Sequence, residues 1–247
     1  LRELAGRIHP AYSIFFCTAL YLTIGPFFAA PRTATVAYEI AVAQYLPAEM
    51  RSVGLYVFAA VFFIVTWWLA ISPSKLVSRV GKFMTPVLLV FLFLLIISAI
   101  AAPMGSWQAP AAAYDTGVKA FGQGIVDGYN TMDGLAALVF GIIVVESVKM
   151  YGAVSEAEIT KDTLRSGLIS TFFMAIIYAA LCYIGASSVS LIGVQENGAP
   201  VLVKTALHYF GAAGGGILGV IVIFACLTTS IGLAASCAAY FNLLLPK

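Results

Sequence analysis

Charged side chains are scarce in this sequence. Asp, Glu, Lys and Arg make up 10% of the 247 residues, 62% are hydrophobic, and the mean hydropathy is +1.00. About a quarter of the residues in a typical soluble domain are charged, so this chain lacks the side chains that would cover a water-facing surface. The composition excludes a soluble globular domain and predicts an all-α, polytopic protein whose solvent is the lipid bilayer.

Residues that build catalytic centres are scarce as well. Counting the apolar runs places the two histidines, His9 and His208, on opposite sides of the membrane, so they cannot share a haem or a metal. The four cysteines lie in apolar runs without CxxC spacing. GxSxG and HExxH motifs and paired intramembrane carboxylates do not occur. We therefore predict no enzyme activity and no cofactor, and the scattered basic residues indicate no nucleic-acid partner.

Long stretches without charged residues mark the membrane spans. Because about 20 residues are needed to cross the hydrocarbon core, we predict about six spans in a single transmembrane domain, residues 1–247. The predicted spans cover approximately residues 11–40, 52–73, 83–103, 121–151, 166–190 and 209–245. Between the last two spans we predict an outer loop, Gly193–Thr205, because Gly198 and Pro200 disfavour a helix there.

Basic residues in the short loops indicate an orientation. With both chain ends inside, the cytoplasmic side collects Arg2, Arg7, Lys75, Arg79, Lys82, Lys149, Lys161, Arg165 and Lys247. The outer side receives Arg51, Lys119 and Lys204. This bias follows the positive-inside rule and predicts a multi-pass protein of a bacterial inner (cell) membrane with both ends cytoplasmic. Six crossings of the membrane require the short uncharged run Gly134–Val145 to be part of a span. It is long enough to cross only together with the more polar stretch before it, Phe121–Asp133.

This fourth span carries polar groups where the bilayer is apolar. Asn130, Thr131 and Asp133 fall at membrane depth, and the glycines that disfavour a continuous helix are Gly122, Gly124, Gly128 and Gly134. A helix broken at this depth exposes N–H groups that suit a carboxylate and carbonyls that suit a cation, which predicts a solute site. The alternative is a re-entrant outer loop over Phe121–Asp133, with Asp133 at the wet interface.

The last apolar run contains a group of oxygen atoms. On a helix the Ala225 carbonyl lies one turn before Thr228 and Thr229, so three oxygens can converge on a small cation such as sodium. In the alternative, the hydroxyls bond carbonyls of the preceding turn or permit close helix packing. The pattern alone favours this alternative.

Two long motifs, Leu20–Glu39 and Gly128–Gly141, resemble the branched-chain amino acid carrier family, and the resemblance extends over essentially the whole chain. It implies a LeuT-type fold with inverted repeats and unwound first and sixth helices. The chain would hold helices three to eight of about twelve, with the broken fourth span as the unwound sixth helix. Because it begins at Leu1 and ends at the edge of an apolar run, we expect a fragment that lacks the N- and C-terminal helices.

The resemblance also implies specific site residues. The substrate, a branched-chain amino acid, would bind near the break, at Tyr129, Asn130, Thr131, Met132, Asp133 and Gly134, with Phe27 and Phe28 in an apolar pocket. Ala225, Thr228 and Thr229 would bind sodium as the coupling ion, which reverses the assessment from the pattern alone. The expected function is sodium-coupled symport of leucine, isoleucine and valine by alternating access. A proton-coupled transporter that uses Asp133 is one alternative, and a channel or membrane scaffold without coupled transport is the other.

Overall fold

The computed structural model of the protein describes residues 5–71, 75–195 and 197–244, and no β-strand occurs within these ranges. The helices are α1 (Pro10–Leu22), α2 (Ala29–Ala41), α3 (Arg51–Ile71), α4 (Lys75–Ala101), α5 (Gly117–Asn130), α6 (Asp133–Met150), α7 (Glu156–Ile192) and α8 (Gly198–Leu244). A π-helical turn, Thr23–Phe27, joins α1 to α2. Short 3-10 turns occur at Ala43–Tyr45, Ala48–Met50 and Ala112–Tyr114.

The predicted all-helical, polytopic architecture is confirmed. In the described part of the chain, five helical stretches are long and apolar enough to cross a membrane: Pro10–Tyr45, Ala48–Ile71, Gly117–Met150, Glu156–Ile192 and Gly198–Leu244. Each overlaps a predicted span. The remaining predicted span lies on α4, whose Thr85–Ala101 portion is a shorter apolar helix. Helix α4 begins at Lys75, so the basic stretch between the predicted spans 52–73 and 83–103 is helical from that residue onward. Residues 72–74 lie outside the described residues.

Helix α7 begins well before the span predicted near residue 166. The N–H of Glu158 donates to Ser155 Oγ at 3.2 Å, and the N–H of Ser155 donates to the Glu158 carboxylate at 3.2 Å. This reciprocal pair is a capping box, which satisfies donors that the first helical turn leaves without acceptors. The helix therefore starts at Glu156, in the polar stretch between the predicted spans 121–151 and 166–190.

Helix α8 also begins earlier than predicted, so the predicted loop Gly193–Thr205 is too long. The helix starts at Gly198, where the Asn197 side chain accepts the Ala199 N–H at 2.9 Å. Proline is tolerated in the first turn of a helix because its missing N–H would have no intrahelical acceptor there. The later bend falls at Gly211, whose φ of 62° and ψ of −159° are open essentially to glycine alone.

The described chain divides into two compact units. The first comprises Leu1–Phe27, Ala109–Ile177 and Ser236–Lys247, and the second comprises Phe28–Gln108 and Tyr178–Ala235. The core of the second unit is a cluster of buried apolar side chains from α2, α4, α7 and α8: Ile40, Leu95, Ala99, Ile184, Ala199, Val203, Ala206 and Leu218. The single transmembrane domain stays a prediction.

The first unit is held by contacts among α1, α6 and the end of α8. Helix α6 contacts both α1 and the π turn. The rings of Tyr21 and Tyr240 stack with centroids 4.4 Å apart and planes within 6°. The hydroxyls of Thr18 and Tyr240 lie 2.7 Å apart, which is hydrogen-bond distance. Such side-chain hydrogen bonds stabilise helix association in an apolar environment.

Candidate functional site

The fourth span is interrupted at Thr131–Met132. Helix α5 ends at Asn130 and α6 begins at Asp133, and the residue before α6, Met132, has φ 61° and ψ 16°. Within the described ranges, Met132 is the one non-glycine residue with a positive φ. A left-handed conformation costs an ordinary L-residue about 1–2 kcal/mol, so the surrounding structure must hold this break in place. The predicted interruption of the helix is therefore confirmed.

The break is narrower than the sequence suggests. Helix α5 is continuous through Gly122, Gly124 and Gly128, because a glycine costs a helix only about 1 kcal/mol relative to alanine. The Thr116 side chain caps the start of this helix by accepting the Lys119 N–H at 3.4 Å. The stretch is helical up to Asn130, and the alternative expectation of a re-entrant outer loop over Phe121–Asp133 stays a prediction.

The Thr131 side chain connects the two helix ends. Its Oγ1 lies 2.6 Å from the Gly128 carbonyl oxygen and 2.8 Å from Asp133 Oδ2. The Met132 N–H donates to the Tyr129 carbonyl at 3.0 Å. Because a hydroxyl carries one hydrogen, both Thr131 contacts are hydrogen bonds at once only when the Asp133 carboxyl is protonated. An ionised Asp133 is also compatible with this position, since a helix N-terminus stabilises negative charge.

The depth of the break follows from the length of α6. At 1.5 Å per residue, Asp133 lies about 20 Å along the axis from Glu146, the next charged residue. The hydrocarbon core of a bilayer is about 30 Å thick. For a bilayer boundary placed at Glu146, Asp133 and the break would fall inside the apolar core, where irregular backbone requires protein or a cavity around it.

The predicted substrate residues differ in exposure. Tyr129, Asn130, Thr131 and Gly134 are exposed, whereas Met132 and Asp133 are half-buried. The structure brings these six residues together as neighbours around the break. A Cβ at Gly134 would meet nothing within 4 Å, so there is open space beside the first turn of α6.

Phe27 and Phe28 were predicted to line an apolar pocket beside the break. The two residues fall in different compact units, and their side chains are 65% and 60% exposed. Phe27 lies at one end of an apolar groove of about 660 Å³, whose other lining residues all come from α1 and the π turn: Ala11, Ile14, Phe15, Thr18, Ala19, Leu22 and Thr23. The pocket predicted around both phenylalanines stays a prediction.

The three predicted cation ligands are close together on α8, within the second unit. The hydroxyls of Thr228 and Thr229 each donate to the Ala225 carbonyl at 2.9 Å. These are bonds within the helix, as the alternative expectation had it. Oxygens at this separation could share a cation with metal–oxygen distances of about 2.3–2.6 Å, provided that both hydroxyl hydrogens turn away. The sodium role stays a prediction.

A second interruption was missed by the sequence analysis. The π turn Thr23–Phe27 has non-helical torsions at Gly25, with φ −78° and ψ −110°. The available signal was Gly25-Pro26 inside an apolar run, because proline lacks the N–H that an α-helix needs. The turn contacts α6 within the first unit, so one unit contains both interruptions.

Comparisons with known proteins find one family and several relatives that match this chain over nearly its whole length. The family described as "Branched-chain amino acid transport protein" matches residues 1–247. The chain is 43% identical over 247 residues to the branched-chain amino acid permease BrnQ of Bacillus subtilis (strain 168), with 100% of this chain and 56% of the relative covered. It is 41% identical over 245 residues to the permease BraB of the same organism, covering 99% and 55%.

A permease BrnQ of Lactobacillus delbrueckii subsp. lactis is 38% identical over 248 residues, covering 100% of this chain and 56% of the relative. The chain thus spans about half the length of the curated relatives it matches. No solved structure matches it. The full-length family match and the apolar helices show a multi-pass membrane protein that belongs to the branched-chain amino acid transport protein family.

Proposed function

We propose that the protein carries branched-chain amino acids across a bacterial inner membrane by sodium-coupled symport with alternating access, and that both ends of this chain are cytoplasmic. The interrupted helix at Thr131–Met132 is the observation that carries the proposal. Transporters bind substrates near the bilayer midplane at helices that are broken in this way. The relatives named branched-chain amino acid permeases support leucine, isoleucine and valine as the substrate class.

The ends of the broken helix provide complementary groups for an amino acid. The first turn of α6 presents N–H groups that have no acceptor within the helix and lie at its positive end, which suits the substrate carboxylate. The last carbonyls of α5 lie at a negative end, which suits the substrate ammonium. The Met132 side chain is unbranched and adaptable, so it is a suitable contact for aliphatic side chains of different shape.

The oxygens of Ala225, Thr228 and Thr229 are the proposed ligands of the sodium ion. Each hydroxyl oxygen lies 2.9 Å from the Ala225 carbonyl oxygen, which supports this role because hard cations bind clusters of carbonyl and hydroxyl oxygens. The proposed architecture is part of a LeuT-like inverted repeat, in which α5 and α6 correspond to the unwound sixth helix. The interruption inside the apolar core supports that correspondence.

Proton coupling is a second candidate. The observation in its favour is the Thr131 hydroxyl, which has two acceptors within 2.8 Å, Gly128 O and Asp133 Oδ2. A proton on Asp133 would let its carboxyl donate to Thr131 while Thr131 donates to Gly128. Ionisable groups at membrane depth are common parts of proton pathways.

Uptake into proteoliposomes tests both candidates. Radiolabelled leucine is supplied with an inward sodium gradient, an inward proton gradient, both or neither. We expect saturable accumulation that needs sodium and that valine inhibits. Accumulation driven by the proton gradient without sodium would favour the second candidate. Leucine entry that neither saturates nor responds to valine would indicate a channel, and no leucine entry a membrane scaffold.

A further inference from the structure

The π turn in the first span is contacted by a side chain from the far end of the chain. The turn, Thr23–Phe27, contains Pro26, which has no N–H to donate. Just before the turn, the Cys237 thiol donates to the Tyr21 carbonyl, with the sulfur 3.4 Å from the oxygen.

The approach of Cys237 to the turn depends on a glycine. A Cβ built at Gly25 would lie 2.6 Å from Cys237 Sγ, closer than such atoms normally approach. Any larger residue at Gly25 would therefore force the thiol to rotate away from the Tyr21 carbonyl. The Tyr21 side chain is held separately, because its ring stacks on the ring of Tyr240.

We propose that the π turn Thr23–Phe27 is a hinge of the first span, which Cys237 holds in the present conformation through the Tyr21 carbonyl and by packing against Gly25. Two observations favour movement at this point. The thiol is a weak donor, so the contact can be released at less cost than a hydroxyl bond. The turn also contacts α6, the helix that begins at the proposed substrate site. The inference rests on the proposed function, because the hinge would respond to substrate bound there.

Alkylation of Cys237 tests the hinge. The protein in proteoliposomes is treated with a membrane-permeant maleimide, with and without saturating leucine, and labelling of each cysteine is followed by peptide mass spectrometry. We expect leucine to change the labelling rate of Cys237 by about tenfold, since reactivity follows local opening. The exposed Cys182, which belongs to the second unit, is the internal control and should keep its rate.

Two results would overturn the inference, and they are distinguishable. A Cys237 rate that leucine does not change, in vesicles that accumulate leucine, removes the hinge and leaves the proposed function intact. Vesicles that show no saturable leucine uptake remove the proposed function and the hinge with it.

A pair of substitutions gives a second measurement. Gly25→Ala should raise Cys237 labelling in the absence of leucine and lower the maximal uptake rate by about tenfold without a matching change in KM, because the turn is displaced while the substrate site is kept. Adding Cys237→Ala should make room for the new methyl group and raise uptake to the level of the Cys237→Ala single variant, which lacks only the thiol bond to Tyr21. Gly185→Ala is the control, since a Cβ there meets nothing within 4 Å. Unchanged uptake in Gly25→Ala, or failure of the double variant to recover, would contradict the proposed packing.

Discussion

The Thr131 hydroxyl lies 2.8 Å from Oδ2 of Asp133, across the left-handed residue that separates α5 from α6. The same hydroxyl reaches the Gly128 carbonyl at 2.6 Å. The last turn of one helix and the first residue of the next are thus joined by a single side chain. The interruption is therefore a local structure, specified by residues that are neighbours in the sequence.

Substitution of Asp133 separates the two coupling ions. We expect Asp133→Asn to keep sodium-driven leucine uptake, because the amide oxygen can still accept from Thr131. The lost charge at the start of α6 is worth about 0.3–1 kcal/mol, which corresponds to a decrease in the uptake rate of about fivefold at most. The measurement is initial uptake under a sodium gradient. Asp115→Asn is the control, since Asp115 forms an exposed ion pair with Lys119.

A different outcome would reassign the role of Asp133. If Asp133→Asn abolishes accumulation driven by a proton gradient but leaves leucine exchange at equilibrium, the carboxyl carries the coupled proton. The sodium proposal would then fail.

Removal of one hydroxyl tests the cation ligands. Thr228→Ala should raise the sodium concentration for half-maximal uptake by about tenfold, since a hydrogen bond or contact to a charged group is worth about 1.5–3 kcal/mol. Thr171→Ala is the matched control, because the Thr171 hydroxyl is exposed and donates to the Gly167 carbonyl at 2.9 Å in the same back-bonded manner. An unchanged sodium requirement in Thr228→Ala would remove the cation role.

The left-handed torsions of Met132 predict opposite effects of two substitutions on stability. Met132→Gly should raise the free energy of unfolding by about 1 kcal/mol, because glycine adopts this conformation without steric cost. Met132→Ile should lower it, since β-branched residues are disfavoured there. Thermal unfolding in detergent measures both. Leu138→Gly on α6 is the control, and it should lower the free energy of unfolding by about 1 kcal/mol because glycine disfavours a helix. If Leu138→Gly instead raised it, the effect of Met132→Gly could not be attributed to the left-handed torsions.

The hydroxyl of Tyr240 has a measurable role apart from its ring. Tyr240→Phe keeps the stack on Tyr21 but removes the 2.7 Å contact with the Thr18 hydroxyl and the longer bond that the Tyr240 hydroxyl donates to the Ile14 carbonyl at 3.4 Å. We expect a loss of about 0.5–1.5 kcal/mol in the free energy of unfolding, since the short contact with Thr18 should dominate. The exposed Tyr56 provides the control variant, Tyr56→Phe, which should be neutral. Equal melting temperatures for Tyr240→Phe and the unsubstituted protein would show that the hydroxyl contributes nothing.

Features that depend on neighbouring residues could be predicted from the sequence. Apolar length located the spans, and the polar stretch ending at Asp133 located the interrupted helix. The start of α7 could have been predicted too, because Ser155 and Glu158 have the spacing of a capping box. The Gly25-Pro26 pair likewise indicates an interruption of the first span, though not that the interruption is a π turn.

Contacts between distant parts of the chain could not be predicted. The bond from Cys237 to the Tyr21 carbonyl joins residues far apart in sequence, and no periodicity indicates it. The direction of the Thr228 and Thr229 hydroxyls was also beyond the sequence, because the same three oxygens serve a cation or the helix itself. Whether these oxygens are free to bind a cation depends on the rotamers of the two hydroxyl groups, and the residue type does not determine a rotamer.

The two hydroxyls that donate to Ala225 have a kinetic consequence for the proposed sodium site. If Thr228 and Thr229 bind the ion as proposed, rotation of their two hydroxyl groups would free the oxygens with no change in the backbone of α8. Side-chain rearrangements of this kind take picoseconds to nanoseconds, whereas collective helix motions take microseconds to milliseconds. Ion loading at Thr228 and Thr229 would therefore be at equilibrium on the timescale of any helix movement, and would leave turnover limited by that movement.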